Sequence, residues 1–410
     1  MTSNLLGEGL NGTVRAEQFA VKTYDDTEFY IARDAIREAS ILNHLNDNFV
    51  IGVPKLYNTN VVHNNESTTT TSVMSLAGRS LMSILLETED TTERCMIVEP
   101  YLDSILEVIG AIHRAGIIHN DLNLGNILIN EDTNEVTIID FGLSTFNSAY
   151  DIDSSFNSPE QHRYEKNLYA TDYWILGVAI LNFCLGRGYA PIQGDSDWSQ
   201  IIDVLDREYT LNELETQEVH TSVIIPDSIT PRLADRLKPL LQYNHLDREL
   251  DPHRPEVTLS KFNPALNRDY INTLSTTLSY LARIFKAYFL HSHPSRLGVA
   301  IDILRRILVP LGGIAHSQEA IQSLVLAIAM ILHTYPGREM VELNSLSIEK
   351  ISALEVKILS ILRWRILTES NVRLSDNGNM KTLCDRIIDD KDRYMLMEMS
   401  DEELYGYFRG

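Results

Sequence analysis

The chain has 410 residues, 44% of them apolar and 22% charged, which is enough to bury cores in two or three domains and too apolar for a disordered protein. Acidic residues outnumber basic ones 57 to 35, giving a formal net charge of −22 that repels phosphate backbones and sets nucleic acid aside as a partner. No apolar run reaches about 18 residues, and MTSNLLGEGL is not a basic segment followed by an apolar one, so neither a membrane span nor a signal peptide is expected. The expected location is inside the cell, in cytoplasm or nucleus. Cys95, Cys184 and Cys384 lack metal-ligand spacing and read as buried or free thiols in a reducing compartment.

Taken in order, the chain begins with Gly7-Glu8-Gly9-Leu10-Asn11-Gly12-Thr13-Val14, a glycine-rich turn whose missing side chains let backbone amides approach phosphate. Phe19-Ala20-Val21-Lys22 follows after a short gap. Tyr30 to Leu45 has apolar residues at helical spacing and carries Ile36, Arg37 and Glu38. Asn60 to His63 and Ser67 to Met74 read as strands around Asn64-Asn65-Glu66, the β-branched run Thr68 to Thr71 suiting a strand. Ser75-Leu76-Ala77-Gly78 then reads as a linker, and Tyr101 to Ala115 as a helix stopped by Gly116.

The stretch from Ile117 to Leu143 is the centre of the chain. It places Asp121 and Asn126 five residues apart and ends a predicted strand, Val136 to Ile139, on Asp140-Phe141-Gly142. Phosphoryl transfer from a nucleotide needs a carboxylate to accept the hydroxyl proton, and an amide and a second carboxylate to hold metal. All three are here.

These motifs, in this order, resemble the eukaryotic protein kinases. The resemblance implies an α+β fold of two lobes, a β-rich small lobe over about residues 1–77 and a helical large lobe over about 78–262. It implies ATP and Mg²⁺ as cofactors and proteins as substrates. Asp121 matches the catalytic base; Asn126 and Asp140 match the metal ligands. Gly7, Gly9, Gly12, Val14, Ala20, Lys22, Met74 and Leu76 match the ATP-binding positions, and Glu38 the ion-pair partner of Lys22. Ser158-Pro159-Glu160 resembles the A-P-E motif, with Arg254 as the expected partner of its glutamate. Asp172, Trp174 and Gly177 match the central helix of the large lobe. Two positions depart from the pattern: Asn120 stands where an arginine usually binds a phosphorylated activation loop, and Asn123 where a lysine usually offsets phosphoryl charge.

Asp34 to Leu42, with Ile36 and Arg37 beside Glu38, resembles the cyclin-contacting helix of cyclin-dependent kinases. Beyond Asn263-Pro264 the stretches Tyr270 to Phe289, Arg296 to Leu308, Ser317 to His333 and Ser347 to Ile361 are apolar at helical spacing, which reads as a helical bundle. Residues 263–370 resemble a single cyclin box. Glu355 falls on the glutamate that cyclins present to the kinase helix, while the companion lysine position holds Thr334. Residues 371–410 read as an acidic tail. Together the two parts imply a serine/threonine kinase activated in cis by its own fused, intramolecular cyclin-like domain. Two other readings fit the same residues: a pseudokinase serving as an ATP-binding scaffold, and a small-molecule kinase.

Overall fold

The computed structural model describes residues 4–9, 12–16, 19–26, 33–63, 68–146, 158–164, 168–187, 223–248, 277–283, 295–308, 318–332 and 348–366. They form two compact units. The first comprises Met1–Asn43, Leu56–Met74 and Glu256–Gly410, the second His44–Lys55 and Ser75–Pro255. The beginning of the chain and its last third therefore belong to one unit.

In the first unit, β1 (Asn4–Gly9), β2 (Gly12–Ala16), β3 (Ala20–Asp26), β4 (Leu56–His63) and β5 (Thr68–Met74) form one antiparallel sheet in the order β1-β2-β3-β5-β4. The threonine run lies in β5, where Thr68, Thr70, Ser72 and Met74 are buried and their neighbours are not. That is the period of two expected of a strand with one covered face. Helix α1 (Arg33–Asp47) follows the sheet's first hairpins. Its Ala35, Ile36, Ala39 and Leu42 recur at helical spacing and are buried.

Ile36 and Ala39 belong to one continuous apolar core with residues from the last third of the chain. Those residues come from the helical stretch 277–283, α8 (Ser295–Leu308), α9 (Gln318–Ile331) and α10 (Ile348–Ile361). Leu297, Ala300, Ile301 and Leu304 on α8, Leu324, Val325 and Ile328 on α9, and Ile351, Ile358 and Leu359 on α10 make up its centre. Each such side chain contributes about 1.5–3 kcal/mol when fully buried, so α1 is bound to these helices by apolar contact. A polar contact adds to it: Asn43 Nδ2 donates to Arg363 O at 3.0 Å. That carbonyl lies where α10 ends through two left-handed residues, Arg363 (φ 49°) and Trp364 (φ 62°). Bulky residues rarely adopt this backbone. Here it is held by Trp364 N donating to Leu359 O at 2.8 Å and by Arg306 of α8 donating to Arg365 O at 2.6 Å.

The second unit is mostly helical: α2 (Leu81–Leu85), α3 (Thr91–Val98), α4 (Leu102–Arg114), α5 (Pro159–Tyr164), α6 (Tyr169–Cys184) and α7 (Pro231–Leu237). Helix α4 buries Leu102, Ile105, Ile109 and Ile112 and stops at Gly116, whose φ of 84° suits glycine. All sixteen residues of α6 are buried, which makes it the axis of this unit. Strands β6 (Arg79–Ser80), β8 (Ile127–Asn130) and β9 (Glu135–Ile138) form a small sheet, and β7 (Ile117–Ile118) pairs with β10 (Thr145–Phe146). At Gly78 a Cβ would come within 1.6 Å of Ile129 O, so only glycine lets the chain enter β6 here. Among the described residues no helix is long and apolar enough to cross a membrane.

Candidate active site

Residues that the sequence singles out lie in both units. In the first, β1 and β2 form the glycine hairpin: Gly9 pairs with Gly12 and Gly7 with Val14. Leu10 and Asn11 lie outside the described residues. The next register steps pair Val14 with Lys22 and Ala20 with Met74, so the sheet alone brings these positions together. Lys22 and Tyr24 share a face of β3 because strand side chains alternate. Lys22 Nζ stands 3.2 Å from Glu38 Oε1 of α1 and 5.1 Å from the Tyr24 ring centre. The Tyr24 hydroxyl donates to Glu38 Oε2 at 2.7 Å. Glu38 is thus held by a cation on one oxygen and a hydroxyl on the other. Its side chain is 2% exposed, and a buried carboxylate needs such partners to stay charged. The sequence reading did not anticipate Tyr24; a tyrosine two residues past the lysine, on the same face of a strand, was the available signal.

In the second unit the catalytic stretch is bound at its entrance and exit. β7 leads in and β10 leads out, paired antiparallel. Asp172 of α6, fully buried, accepts from the backbone amides of His119 and Asn120 at 2.8 Å each, and lies 2.7 Å from His113 Nε2. Asn120 has a left-handed φ of 67°, a backbone that asparagine tolerates. Its Nδ2 donates to Leu143 O at 2.9 Å and to Thr145 Oγ1 at 3.1 Å. Where the family pattern has a cation for a phosphorylated loop, this chain has a neutral amide already bonded to the loop's own start. Of the hydroxyls between Leu143 and Asn157 that a kinase could phosphorylate, Ser144 and Thr145 are buried, while Ser148, Tyr150, Ser154 and Ser155 lie outside the described residues.

Asp121 is surrounded by amides. Asn123 Nδ2 donates to its Oδ1 at 3.1 Å, and Asn126 Nδ2 donates to its Oδ2 and its backbone carbonyl at 2.9 Å each. Asn123 therefore has a definite partner in place of the missing lysine. The Asp121 amide donates to His119 Nδ1 at 3.3 Å while His119 Nε2 lies 3.0 Å from Ile139 O, which fixes the Nε2–H tautomer. Burial raises the Asp121 carboxyl above its ordinary range and the nearby charge of Asp140 adds to that, against the opposing effects of His119 and the two asparagines. Asp140 has a φ of 64° and follows β9, while Phe141 is fully buried beside the His119 ring at 4.9 Å.

Asn126 and Asp140 offer an amide oxygen and a carboxylate, hard donors suited to a divalent cation that keeps waters and substrate phosphates in its shell. Among the described residues no cluster of three or more His, Cys, Asp or Glu side chains could hold a metal ion. Leu76, beyond β5, is 44% exposed and Met74 is 7% exposed.

Two further expected contacts involve Glu160 and Glu355. Glu160 pairs with Arg248: Arg248 Nη1 lies 3.2 Å from Oε1, and Nη2 bonds Oε2. Arg254, the expected partner, lies outside the described residues. Glu355, expected to face the kinase helix as an acidic contact, is 2% exposed, and its Oε2 has no hydrogen-bond partner among the described residues. Burial alone pushes its carboxyl well above the ordinary glutamate range. Ile36 and Arg37 are also buried; Thr334 lies outside the described residues.

The raised Glu355 carboxyl gives a signed prediction. A carboxyl that holds its proton more tightly folded than unfolded costs stability as pH rises above the ordinary glutamate range, by up to about 1.4 kcal/mol per pH unit until the folded value is passed. Glu355→Gln, which has no proton to lose, is expected to melt higher than the parent at about pH 8, with the difference shrinking by about pH 5. A difference that does not change with pH would show that Glu355 is charged when folded.

Comparison with known proteins agrees with this geometry. The protein kinase domain family matches residues 2–250. Myosin light chain kinase family member 4 of Mus musculus is 30% identical over 160 residues, covering 36% of this chain and 39% of that protein. Smooth-muscle myosin light chain kinase of Gallus gallus is 28% identical over 222 residues, 52% of this chain and 11% of that one. Serine/threonine-protein kinase PDK1 of Cryptococcus neoformans is 25% identical over 239 residues, 55% of this chain and 17% of that one. The chain spans less than half of each, and none of the three is a cyclin-dependent kinase. With the family matched over more than half of its length and the motif residues placed as described, the chain belongs to the protein kinase family.

Proposed function

We propose that this chain is an ATP- and Mg²⁺-dependent serine/threonine protein kinase whose ion pair is kept assembled by its own C-terminal helices. The observation that carries the proposal is the pair of Lys22 on β3 with Glu38 on α1, a helix that shares one core with α8, α9 and α10. Active kinases need this pair in place, and many control it by moving the helix. Here Ile36, Ala39 and Asn43 bind that helix to a segment of the same polypeptide, so no separate activator is required. This is the role a cyclin-like box would play. The neutral tether of Asn120 supports activity without loop phosphorylation. Serine or threonine as acceptor is supported by the similarity to serine/threonine-protein kinase PDK1, and an intracellular location by the free thiols.

In this reading Lys22 holds nucleotide phosphates, Asp121 orients the acceptor hydroxyl and takes its proton, and Asn126 and Asp140 hold the cation. The bound cation neutralises phosphate charge. The amides of Asn123 and Asn126 fix the Asp121 carboxylate, and Asp172 fixes the backbone that carries it.

The test is transfer of labelled phosphate from ATP to serine/threonine peptides by the full chain, with Ile36→Ala and Asn43→Ala beside it. Both variants loosen α1 without burying a new charge. Phosphotransfer is expected to fall about tenfold or more for Ile36→Ala, which loses on the order of 2–5 kcal/mol of packing, and by less for Asn43→Ala, which loses one hydrogen bond. Folded variants with full activity would remove the helices from the mechanism and leave the kinase. ATP binding with no transfer by the parent chain favours a scaffold, and ATP turnover with a metabolite alone favours a small-molecule kinase.

A further inference from the structure

The second unit holds a thiol pair that catalysis does not use. Cys95 of α3 and Cys184 at the end of α6 are far apart in sequence, yet both are fully buried and reduced, and the two thiols lie near enough to perturb one another. The residues beside them show that this approach is built into the fold. Arg94, the neighbour of Cys95, donates through Nη1 to the carbonyl of Phe183, the neighbour of Cys184, at 3.3 Å. Its Nε also donates to Leu85 O and Thr88 O, at 3.2 and 2.9 Å. A single buried guanidinium thereby fixes the spacing of α3 against the last turn of α6. At Gly186, just past that turn, a Cβ would stand 2.9 Å from Arg94 Nη1.

We propose that Cys95 and Cys184 are a redox-responsive dithiol that closes to a disulfide under hydroperoxide, stapling α3 to α6. The two sulfurs are chemically unequal. Hydrogen bonding from Cys184, with further bonds from the Thr230 amide and hydroxyl, lowers the Cys95 thiol to about 6, while the same pairing and burial raise Cys184. Cys95 is therefore the nucleophile and Cys184 the resolving thiol. The Cys95 thiolate attacks one peroxide oxygen, breaking the O–O bond and forming a sulfenic acid as hydroxide leaves. Cys184 then attacks the sulfenic sulfur, the S–S bond forms, and the hydroxyl departs as water with the Cys184 proton. Two thiols lose two electrons in all, and the peroxide is reduced to water. Burial sets the rate, because peroxide reaches the pair only when the contact opens locally. The staple bears on catalysis through α6, whose Asp172 holds the His119 and Asn120 amides.

The experiment uses the full chain carrying Cys384→Ser, so that only these two thiols remain. It is treated with hydrogen peroxide, unfolded, alkylated with a maleimide and weighed intact. The expected result is two alkylated thiols before oxidation and none after, a mass lower by about 2 Da before alkylation, and full reversal by dithiothreitol. The oxidised protein is expected to melt higher by on the order of 5 °C, because the bridge closes a long loop. In Cys184→Ser the reaction is expected to stop at a Cys95 sulfenic acid that a dimedone probe traps. Two thiols still open to alkylation after peroxide, or a Cys95 sulfinic acid formed with Cys184 intact, would overturn the proposal. The oxidised and reduced forms of the same chain decide it even if the Cys184 variant does not fold.

Discussion

Asp121→Asn is expected to lower the turnover of phosphate transfer by about 10²–10⁴-fold, the range that a positioned proton acceptor supplies. An amide oxygen in place of the carboxylate accepts a hydrogen bond but not a proton. The local geometry argues that the loss comes from chemistry and not from folding. The Asp121 carboxylate is held by donors from Asn123 and Asn126, and an asparagine oxygen can still satisfy one of them. The other is left facing an NH₂ group, at a cost of about 1–3 kcal/mol. Removing a carboxylate that burial already disfavours offsets part of that cost. Nucleotide binding, which needs Lys22 and the glycine hairpin, is expected to change little. Single-turnover transfer beside nucleotide binding separates the two effects. A variant that transfers phosphate at the parent rate would show that this carboxylate is not the proton acceptor.

The parts of the site visible in the sequence are those whose chemistry depends on residue type at fixed short spacing. Asp121, Asn126 and Asp140 lie on one continuous stretch, and the structure places the first two in direct contact. Long periodic helices were equally legible: the stretches Arg296 to Leu308, Ser317 to His333 and Ser347 to Ile361 match α8, α9 and α10 within a residue or two. The short helices α2 and α3 were not expected. They rest on the side-chain caps Ser80 and Asp90, and two turns hold too few apolar repeats for a period to show. The shared core of α1 with the last third of the chain was not legible locally, since no local pattern records which distant face covers Ile36 and Ala39. The contact of Cys95 with Cys184 was hidden for the same reason. It depends on how α6 runs through the second unit, and neither cysteine has a spacing that marks it. Arg248 as a partner of Glu160 had no sequence signal, because several arginines stand near the end of the kinase match and no local pattern marks which one is buried against the carboxylate.

That partner sets the largest expected effect on stability. Arg248→Met should destabilise the second unit by about 3–5 kcal/mol, because it leaves Glu160 buried without its cation. Arg248 is fully buried, bonds both Glu160 oxygens and the Ala170 carbonyl, and lies 5.2 Å from the Trp174 ring centre. Only the Thr171 hydroxyl, at 2.9 Å from Glu160 Oε1, would remain on that carboxylate among the partners seen here. For a unit of this size the loss corresponds to a fall in melting temperature on the order of 10 °C. Arg248→Lys should recover only part of it, since a point charge cannot bond both oxygens and Ala170 O together. Combining Arg248→Met with Glu160→Gln removes the stranded charge and should regain much of the loss, and the size of that recovery measures the coupling of the pair. Thermal unfolding of these proteins, with Glu160→Gln and Arg254→Met beside them, tests the assignment. If Arg248→Met melts with the parent while Arg254→Met gives the large loss, the partner of Glu160 is Arg254, and the guanidinium at Arg248 only fills space beside Trp174.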